Sequence, residues 1–350
     1  MSENKSIKPT IKTVAADAGV SVAAVSKVLR NAYGVSESLR KNVLESIDRL
    51  GYRPSTAARG MRGKTYTVGI LLGDMTNPFL PAVVDGVHAV MEPSNFKAMI
   101  GVGRGRRQIE SSLIESMIDN RMDGLILVAP RLAGDLLAEF AQKIPLVVIG
   151  HHEPSATTFD TINCDDDLGG RLATEALLAQ GYETIEMLSL MDKEGGKFDV
   201  YQSREQGFAQ VMAAAGRPAP IIRLREAPGD MEADIAAFLS RPDRPRAVFC
   251  WSDLHAVPLI NMAMARGVRV PQDLAIIGYD NNPVAQLPLI DLASIDQDGQ
   301  TLGRMAAETL LSRIGGRETI THGTLDPTLV VRRSLGDGER LPGGAATVQA

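Results

Sequence analysis

Arg204, Asp280 and Trp251, the only tryptophan of the chain, are the side chains whose chemistry most needs an explanation. A guanidinium and a carboxylate that face one space can fork onto neighbouring hydroxyls, and an indole offers an apolar face to a sugar ring. Trp251, Ser252 and Asp253 follow the apolar run AVFC, and Asp280 follows LAIIGY. The same pattern recurs upstream: Asp74, Asn77 and Phe79 follow TVGILLG, Arg104 to Arg107 follow FKAMIGV, Arg131 follows GLILVA, and His151 follows PLVVIG. Polar groups at the carboxyl ends of buried strands mark where open α/β sheets bind small molecules. Trp251 reads equally as core packing. Arg104, Arg106 and Arg107 read either as a solvated loop or as the seat of an anion such as a sugar acid or sugar phosphate.

A second kind of chemistry sits at the start of the chain. Residues 1–64 hold 12 Lys+Arg against 5 Asp+Glu, a net +7. The whole chain carries −5, which leaves −12 for residues 65–350. A basic head on an acidic body is the asymmetry expected when one segment meets a polyanion and the other does not.

The elements that must position these groups follow from periodicity. IKTVAADAGVSVAAVSKVLRN (residues 11–31) is two short helices broken at Gly19, with Ser21 placed to cap the second. A helix pair joined by a tight Gly-containing turn is a helix-turn-helix, whose second helix enters the major groove of DNA. Ser36 caps a third helix that runs to Gly51, a left-handed stop. Ser55 begins a segment of about two turns, marginal alone because helix nucleation costs more than so few hydrogen bonds return. Residues 55–64 therefore read as a linker that is helical only when something packs against it. From Tyr66 onward, strands alternate with helices in two series, which implies parallel sheets with helices on both faces and a cleft between two units. Residues 336–350 are Gly-rich and aperiodic, the pattern of a frayed tail without a heptad for higher assembly.

Other function classes fit poorly. Gly101, Gly103 and Gly105 superficially resemble a dinucleotide fingerprint, but position 106 is Arg and the run follows the second strand of its unit, which argues against a nicotinamide-dependent enzyme. No nucleophile–base pattern is visible, so no catalytic residue and no cofactor are expected. Cys164 and Cys250 are the only cysteines and lack metal-ligand spacing; they read as structural thiols in a reducing compartment, with no metal. No apolar h-region opens the sequence and no run nears about 18 apolar residues, so a cytoplasmic protein without a membrane partner is expected.

Seven segments carry a resemblance in order and spacing: AGVSVAAVSKVL, LGYRP, TNPF at 76–79, MDGLIL at 122–127, SREQGF at 203–208, PQDLAIIGYD at 271–280 and LASIDQD at 292–298. Over residues 10–335 the chain resembles the lactose-repressor family of bacterial transcription regulators. The resemblance implies an α/β protein with an N-terminal helix-turn-helix headpiece and two doubly wound α/β subdomains like a periplasmic sugar-binding protein. It implies a headpiece over 1–54, a hinge helix over 55–64, a core over 65–335 and a tail over 336–350. Within the core, one subdomain takes 66–164 and 295–322, and the other 165–292 and 323–335. The implied partners are double-stranded operator DNA of palindromic sequence, a second copy of the chain, and a small effector: a sugar, sugar acid or sugar phosphate. A sugar-binding module without DNA function is the alternative, which residues 1–64 argue against.

Individual roles follow by position. Val22 and Ala23 sit in the first turn of the reading helix that Ser21 starts; they can meet a thymine methyl but cannot hydrogen-bond a base. Lys27 stands where many members have Arg, and reads either as a base contact or as a phosphate contact. Thr10, Lys12, Ser26, Asn31, Ser36 and Tyr52 are phosphate-contact candidates that read equally as caps or surface groups. In the hinge, Ser55, Ala58 and Met61 are DNA-facing candidates; Met61 stands where most members have a Leu that wedges the minor groove, a task Met can perform. Arg204 and Asp280 match positions that hold ligand hydroxyls or ring atoms in the family. Ser252 falls where many members have Asn, and Asp253 reads as a contact or as structure.

Overall fold

The computed structural model describes residues 9–29, 33–53, 63–191, 200–225, 227 and 229–336, with the backbone of 346–348. Asn31, Ser55, Ala58 and Met61 therefore lie outside the described residues, as does most of the expected hinge. Two compact units are present, residues 1–65 and 66–350.

The head unit holds α1 (Ile11–Asp17), α2 (Val22–Leu29) and α3 (Glu37–Leu50). Each begins at an expected hydroxyl. Thr10 Oγ1 accepts from Thr13 N at 3.3 Å, Ser21 Oγ from Ala24 N at 3.1 Å, and Ser36 Oγ from Leu39 N at 3.3 Å. Gly19 (φ 65°) and Gly51 (φ 61°) supply the left-handed stops. Val14, Ala15, Val25, Val28 and Val43 form the small core that fixes the three helices together. Ser46 Oγ and Arg49 Nη2 both reach Asp17 Oδ2, at 2.5 and 2.6 Å, and tie α3 to the end of α1.

In the second unit the first lobe holds β1 (Thr67–Leu72), α4 (Phe79–Met91), β2 (Lys97–Val102), α5 (Arg107–Asp119), β3 (Gly124–Val128), α6 (Gly134–Ala141), β4 (Leu146–Ile149) and β5 (Asp160–Cys164). The second lobe holds α7 (Asp166–Ala179), β6 (Ile185–Leu190), α8 (Val200–Ala214), β7 (Ile221–Leu224), α9 (Asp230–Leu239), β8 (Ala247–Cys250), α10 (Asp253–Ala265), β9 (Ala275–Tyr279) and β10 (Ala293–Asp296). The chain then returns to the first lobe through α11 (Gly299–Ile314) and β11 (His322–Leu325), and ends in the second with β12 (Thr328–Val331) and β13 (Ala346–Val348). The first sheet runs β11-β5-β4-β3-β1-β2 and the second β13-β12-β10-β9-β8-β6-β7. Among the described residues every strand pairing is parallel except β10 with β12. β1, β3, β4, β5, β6, β8 and β9 are fully buried along their length; β3, β4, β8 and β9 read as continuous apolar runs for that reason, whereas β5 (DTINC) and β6 (IEMLSL) are buried with polar residues in them.

Two expected boundaries are corrected. Ala293–Asp296 pairs with β9 and β12 in the second sheet, so the chain recrosses after 296 rather than before 295. His322–Leu325 pairs with β5 in the first sheet, so the last crossing falls after 325 rather than after 322. HGTL lacks a buried alternation because β11 is an edge strand, and that hid it. Within the expected frayed tail, Ala346–Val348 is instead a strand parallel to β12, whose outer edge otherwise leaves backbone donors and acceptors open; residues 337–345 and 349–350 lie outside the described residues.

Candidate functional site

On the head, α2 presents Ser21, Ala23 and Lys27 to solvent, while Val25 and Val28 anchor its opposite face. Val22 is half-buried and packs partly against that core, so its methyls serve the head as well as any DNA. Lys12 is exposed, Ser26 is half-buried, and Tyr52 packs against the same apolar cluster. Thr10 and Ser36 are helix caps, as their alternative reading allowed.

In the second unit, two close helix approaches fix the position of Arg204. A Cβ on Gly170 would come within 2.3 Å of Arg204 O, and one on Gly207 within 2.1 Å of Asp167 O. Only glycine lets α7 and α8 pack this tightly, and that closeness sets Arg204 of α8 beside Asp166 of α7. Arg204 Nε donates to Asp166 Oδ1 at 2.7 Å, and Nη1 donates to Trp251 O at 2.6 Å. Its guanidinium carbon stacks 3.5 Å from the Tyr279 ring centroid. His152, after β4 in the first lobe, places Nε2 2.7 Å from Asp166 Oδ2.

Asp280 is the second node. It follows β9 with φ 105°, a left-handed geometry that turns its carboxylate back over the strand ends. Oδ2 accepts from Asn77 Nδ2 of the first lobe at 3.1 Å and from Ser252 Oγ at 2.9 Å. Oδ1 accepts from Gln297 Nε2 at 2.6 Å and lies 3.9 Å from Arg204 Nη1. Arg204 is 3 % exposed and Asp280 7 %. Burial pushes the Asp280 carboxyl up, partly offset by Arg204. Burial also works to raise Asp166, but Arg204 and His152 outweigh it and hold that carboxyl below its ordinary value.

The other expected ligand residues divide by what already occupies them. Asp253 spends both oxygens within its lobe, Oδ1 on Ser294 Oγ and Oδ2 on Asn282 N, each at 2.8 Å. Burial, then the Asp280 charge, raise its carboxyl well above the ordinary value, and its two bonds make Asp253 a prop beneath the Asp280–Asn282 turn. Ser252 caps α10 through Leu254 N at 3.2 Å as well as meeting Asp280. Asp74 Oδ1 accepts from Asn77 N at 3.1 Å and Thr76 Oγ1 at 2.8 Å, which shapes the loop after β1. Phe79 packs partly against the first-lobe core and lines up behind Asn77, whose Oδ1 accepts from Phe79 N at 3.0 Å. Arg131 is half-buried, and its backbone N donates to Glu110 Oε2 at 2.9 Å. His151 is buried, with Nε2 2.9 Å from Glu153 Oε2 and its backbone clasped by Asn163. Arg104, Arg106 and Arg107 are exposed, as the solvated-loop reading requires.

Asp166, His152, Gln297 and Asn282 were missed by sequence reasoning. Asp166 is one of three successive acids, Asp165–Asp167, at the start of α7, with nothing local to single it out, and Gln297 belongs to LASIDQD without a periodic signal of its own. Trp251 stands where expected, half-buried at the end of β8, with its ring 5.4 Å from that of His255. Among the described residues no helix is long and apolar enough to cross a membrane.

A basic three-helix head with an exposed reading helix, and a two-lobed core with a buried polar floor where the lobes meet, define a ligand-responsive DNA-binding regulator. The profile of bacterial regulatory proteins of the lacI family matches residues 10–55, and that of a periplasmic binding protein-like domain matches residues 174–335. The HTH-type transcriptional repressor PurR of Photobacterium profundum is 32 % identical over 337 residues, covering 94 % of this chain and 99 % of the relative. The ribose operon repressor of Haemophilus influenzae is 32 % identical over 333 residues, covering 93 % and 98 %. A solved complex of the transcriptional regulator CelR with cellobiose superposes with TM-score 0.68 at 27 % identity, over 93 % of this chain and 99 % of that one. The lac repressor dimer bound to operator and the anti-inducer ONPF shares the fold, with TM-score 0.78 at 21 % identity over 94 % and 100 %. The chain belongs to the lacI family of bacterial transcriptional regulators.

Proposed function

We propose that the chain is a repressor that binds a palindromic operator as a homodimer and is released or tightened by a small carbohydrate-type effector in the interlobe cleft. The observation that carries it is the Asn77–Asp280–Arg204–Asp166 chain. It is a run of buried charge and amide at the meeting of the lobes, costly to desolvate and set where a ligand would finish its hydrogen bonding. The similarity to PurR, to a ribose operon repressor and to a regulator solved with cellobiose supports a small-molecule effector.

Residues 1–54 serve as the DNA-reading head, 55–64 as the hinge, and the core from 65 as the sensor. Asp74, Asn77, Phe79, Arg131, His151, Arg204, Trp251 and Asp280 surround the effector, with Ser252 and Asp253 supporting Asp280 from behind. Exposed Met99 and Ile100 on edge strand β2, with Leu287 and Leu289 on the second lobe, support a second copy as the dimer partner. A regulator of this kind works in the cytoplasm, where its DNA lies, and has no catalytic step. In the hinge, Met61 wedges the minor groove; a coupling of about 1–3 kcal/mol to the cleft shifts operator affinity about 5- to 150-fold.

Operator affinity of the full chain, measured by fluorescence anisotropy with and without ribose, glucose and cellobiose, is the test. At least one sugar that binds the cleft must change operator affinity. Affinity unmoved by every cleft-binding sugar sinks the reading.

A further inference from the structure

Building on the effector reading above, we propose that the cleft accepts an uncharged, hydroxyl-bearing ligand and rejects the corresponding sugar acids and sugar phosphates. The first support is the charge arrangement of the floor. Arg204 is buried with two carboxylates, Asp166 at 2.7 Å and Asp280 at 3.9 Å. Its single positive charge is already matched by Asp166. With Asp280 ionised the floor carries a net negative charge, and with Asp280 protonated it carries none. Neither state offers an anion a free counter-charge.

The remaining cations do not alter that count. Arg131 donates its backbone N to the buried Glu110 carboxylate at 2.9 Å, and its positive charge also acts on that carboxylate. Arg104, Arg106 and Arg107 are exposed to water, where their attraction is weak and screened. On the first-lobe side, His151 faces Glu153 at 2.9 Å, and His152 faces Asp166, the carboxylate it shares with Arg204, at 2.7 Å; a charge on His152 would be offset by ionised Asp280 and leave no surplus positive charge on the floor.

The second support is a cluster of polar atoms without partners. Trp251 Nε1, both ring nitrogens of His255 and Asn282 Oδ1 are buried and make no hydrogen bond among the described residues. They lie on three residues around the Ser252–Asp280 bond: Trp251 precedes Ser252, His255 stacks near Trp251, and Asn282 follows Asp280 by two positions. Asn282 also reaches back to the first lobe, its Nδ2 3.4 Å from Asn77 Oδ1. Buried polar atoms without partners are costly, so their concentration here marks a surface on which a ligand can complete the hydrogen bonding.

Their chemistry is mixed. The indole only donates, the amide oxygen and the Asp280 carboxylate only accept, and His255, kept neutral by burial, does one of each. A hydroxyl both donates and accepts and satisfies every member of that set. A carboxylate or dianionic phosphate only accepts, and would set lone pairs against Asn282 Oδ1 and Asp280. The half-buried indole face adds an apolar wall suited to a sugar ring.

Trp251 is the only tryptophan of the chain, so intrinsic fluorescence of the intact protein reports on this corner alone. Titrations pair glucose with gluconate and with glucose 6-phosphate, and galactose with galacturonate; ribose and cellobiose complete the neutral set. At least one neutral sugar should change Trp251 emission and raise the melting temperature. Each anionic counterpart of a binding sugar should bind at least about 100-fold more weakly, the scale of a like-charge mismatch. Equal or tighter binding of an anion, or a neutral set that leaves Trp251 emission unmoved, overturns the proposal. Operator affinity measured in the same samples separates the two readings. A neutral sugar that binds without moving operator affinity removes the regulatory reading and leaves the ligand class standing. An anion that binds and moves it does the reverse.

Discussion

Asn77 Nδ2 donates to Asp280 Oδ2 at 3.1 Å, a hydrogen bond between side chains 203 residues apart that joins the first lobe to the second. Asp280 is buried, so the amide supplies one of the few donors available to that carboxylate once water is gone. Asn77→Ala should leave Oδ2 with Ser252 alone and lower the unfolding free energy of the core by about 1–3 kcal/mol. Asn77→Asp should do worse at pH 7 than at pH 5, because it places a second carboxylate against a buried one and is relieved by protonation. Urea denaturation of the full chain at both pH values checks this. An Asn77→Ala chain as stable as the wild type would show that the lobes do not depend on this bond, and equal losses of Asn77→Asp at the two pH values would show that its carboxylate does not meet Asp280.

Arg204 is the counter-ion of the floor, and its removal should reach beyond the ligand. Arg204→Met keeps much of the side-chain volume but leaves the buried Asp166 without its cation, with His152 and Tyr279 still beside it, and frees Trp251 O. Breaking a buried pair from one side typically costs about 3–5 kcal/mol. Arg204→Met combined with Asp166→Leu should recover a substantial part of that loss, as the second change removes the stranded charge. Thermal melts of the single and double variants give the answer, and a double variant no more stable than Arg204→Met would mean that Asp166 is not the origin of the cost.

Much of this framework was legible in the sequence, and the reason is burial. Strands enclosed on both faces, such as β3 and β9, appear as unbroken apolar runs, so the residue at each carboxyl end stands out; Arg131, Trp251 and Asp280 were found that way. Helix starts were legible because Thr10, Ser21 and Ser36 satisfy local backbone donors within three residues. What stayed hidden is contact over long separations. Asp166 meets Arg204 across 38 positions, and Gln297 meets Asp280 across 17, with no local pattern to announce either. For Asp253 the sequence leaves contact and structure both open, because a carboxylate beside a candidate site can serve either way. Its two oxygens are taken up by Ser294 and the Asn282 backbone instead. The edge strand β11 stayed hidden because HGTL alternates only between exposed and half-buried and holds a single large apolar residue, too weak a pattern to read from the sequence.

His255 sets a pH dependence whose sign follows from its surroundings. Burial lowers its pKa from 6.5 to about 4, so the folded chain holds fewer protons than the unfolded chain between those values. The stability it contributes is therefore complete above pH 6.5 and is lost as pH falls towards 4, a change of about 3 kcal/mol over the window. His255→Leu should flatten the decline of stability between pH 6.5 and 4 while changing the pH 7.5 value less. Urea midpoints taken every half unit of pH test it. Parallel curves for the two proteins would place the acid sensitivity elsewhere than His255; Asp166, whose carboxyl is held below its ordinary value, would act only at more acidic pH than this window.

The head unit carries the last expectation, because its affinity for DNA should be mostly electrostatic. Residues 1–64 hold a net +7, while α2 offers Ser21, Ala23 and Lys27 to solvent and turns Val22 partly inwards. Few of these side chains can hydrogen-bond a base edge, so phosphate contacts and counter-ion release should dominate. If about 6–10 phosphates are neutralised per dimer, operator affinity should fall by about 10³–10⁵ between 50 and 200 mM salt. Lys27→Ala should reduce the slope of log affinity against log salt by about 1 per subunit if its contact is a phosphate. It should then weaken operator and unrelated DNA alike. Filter-binding titrations across that salt range on both DNAs are decisive. A flat salt curve would remove the electrostatic basis of binding. A loss confined to the operator would move Lys27 from the phosphate backbone to a base edge, where Lys27→Arg should then sharpen discrimination by adding a bidentate fork.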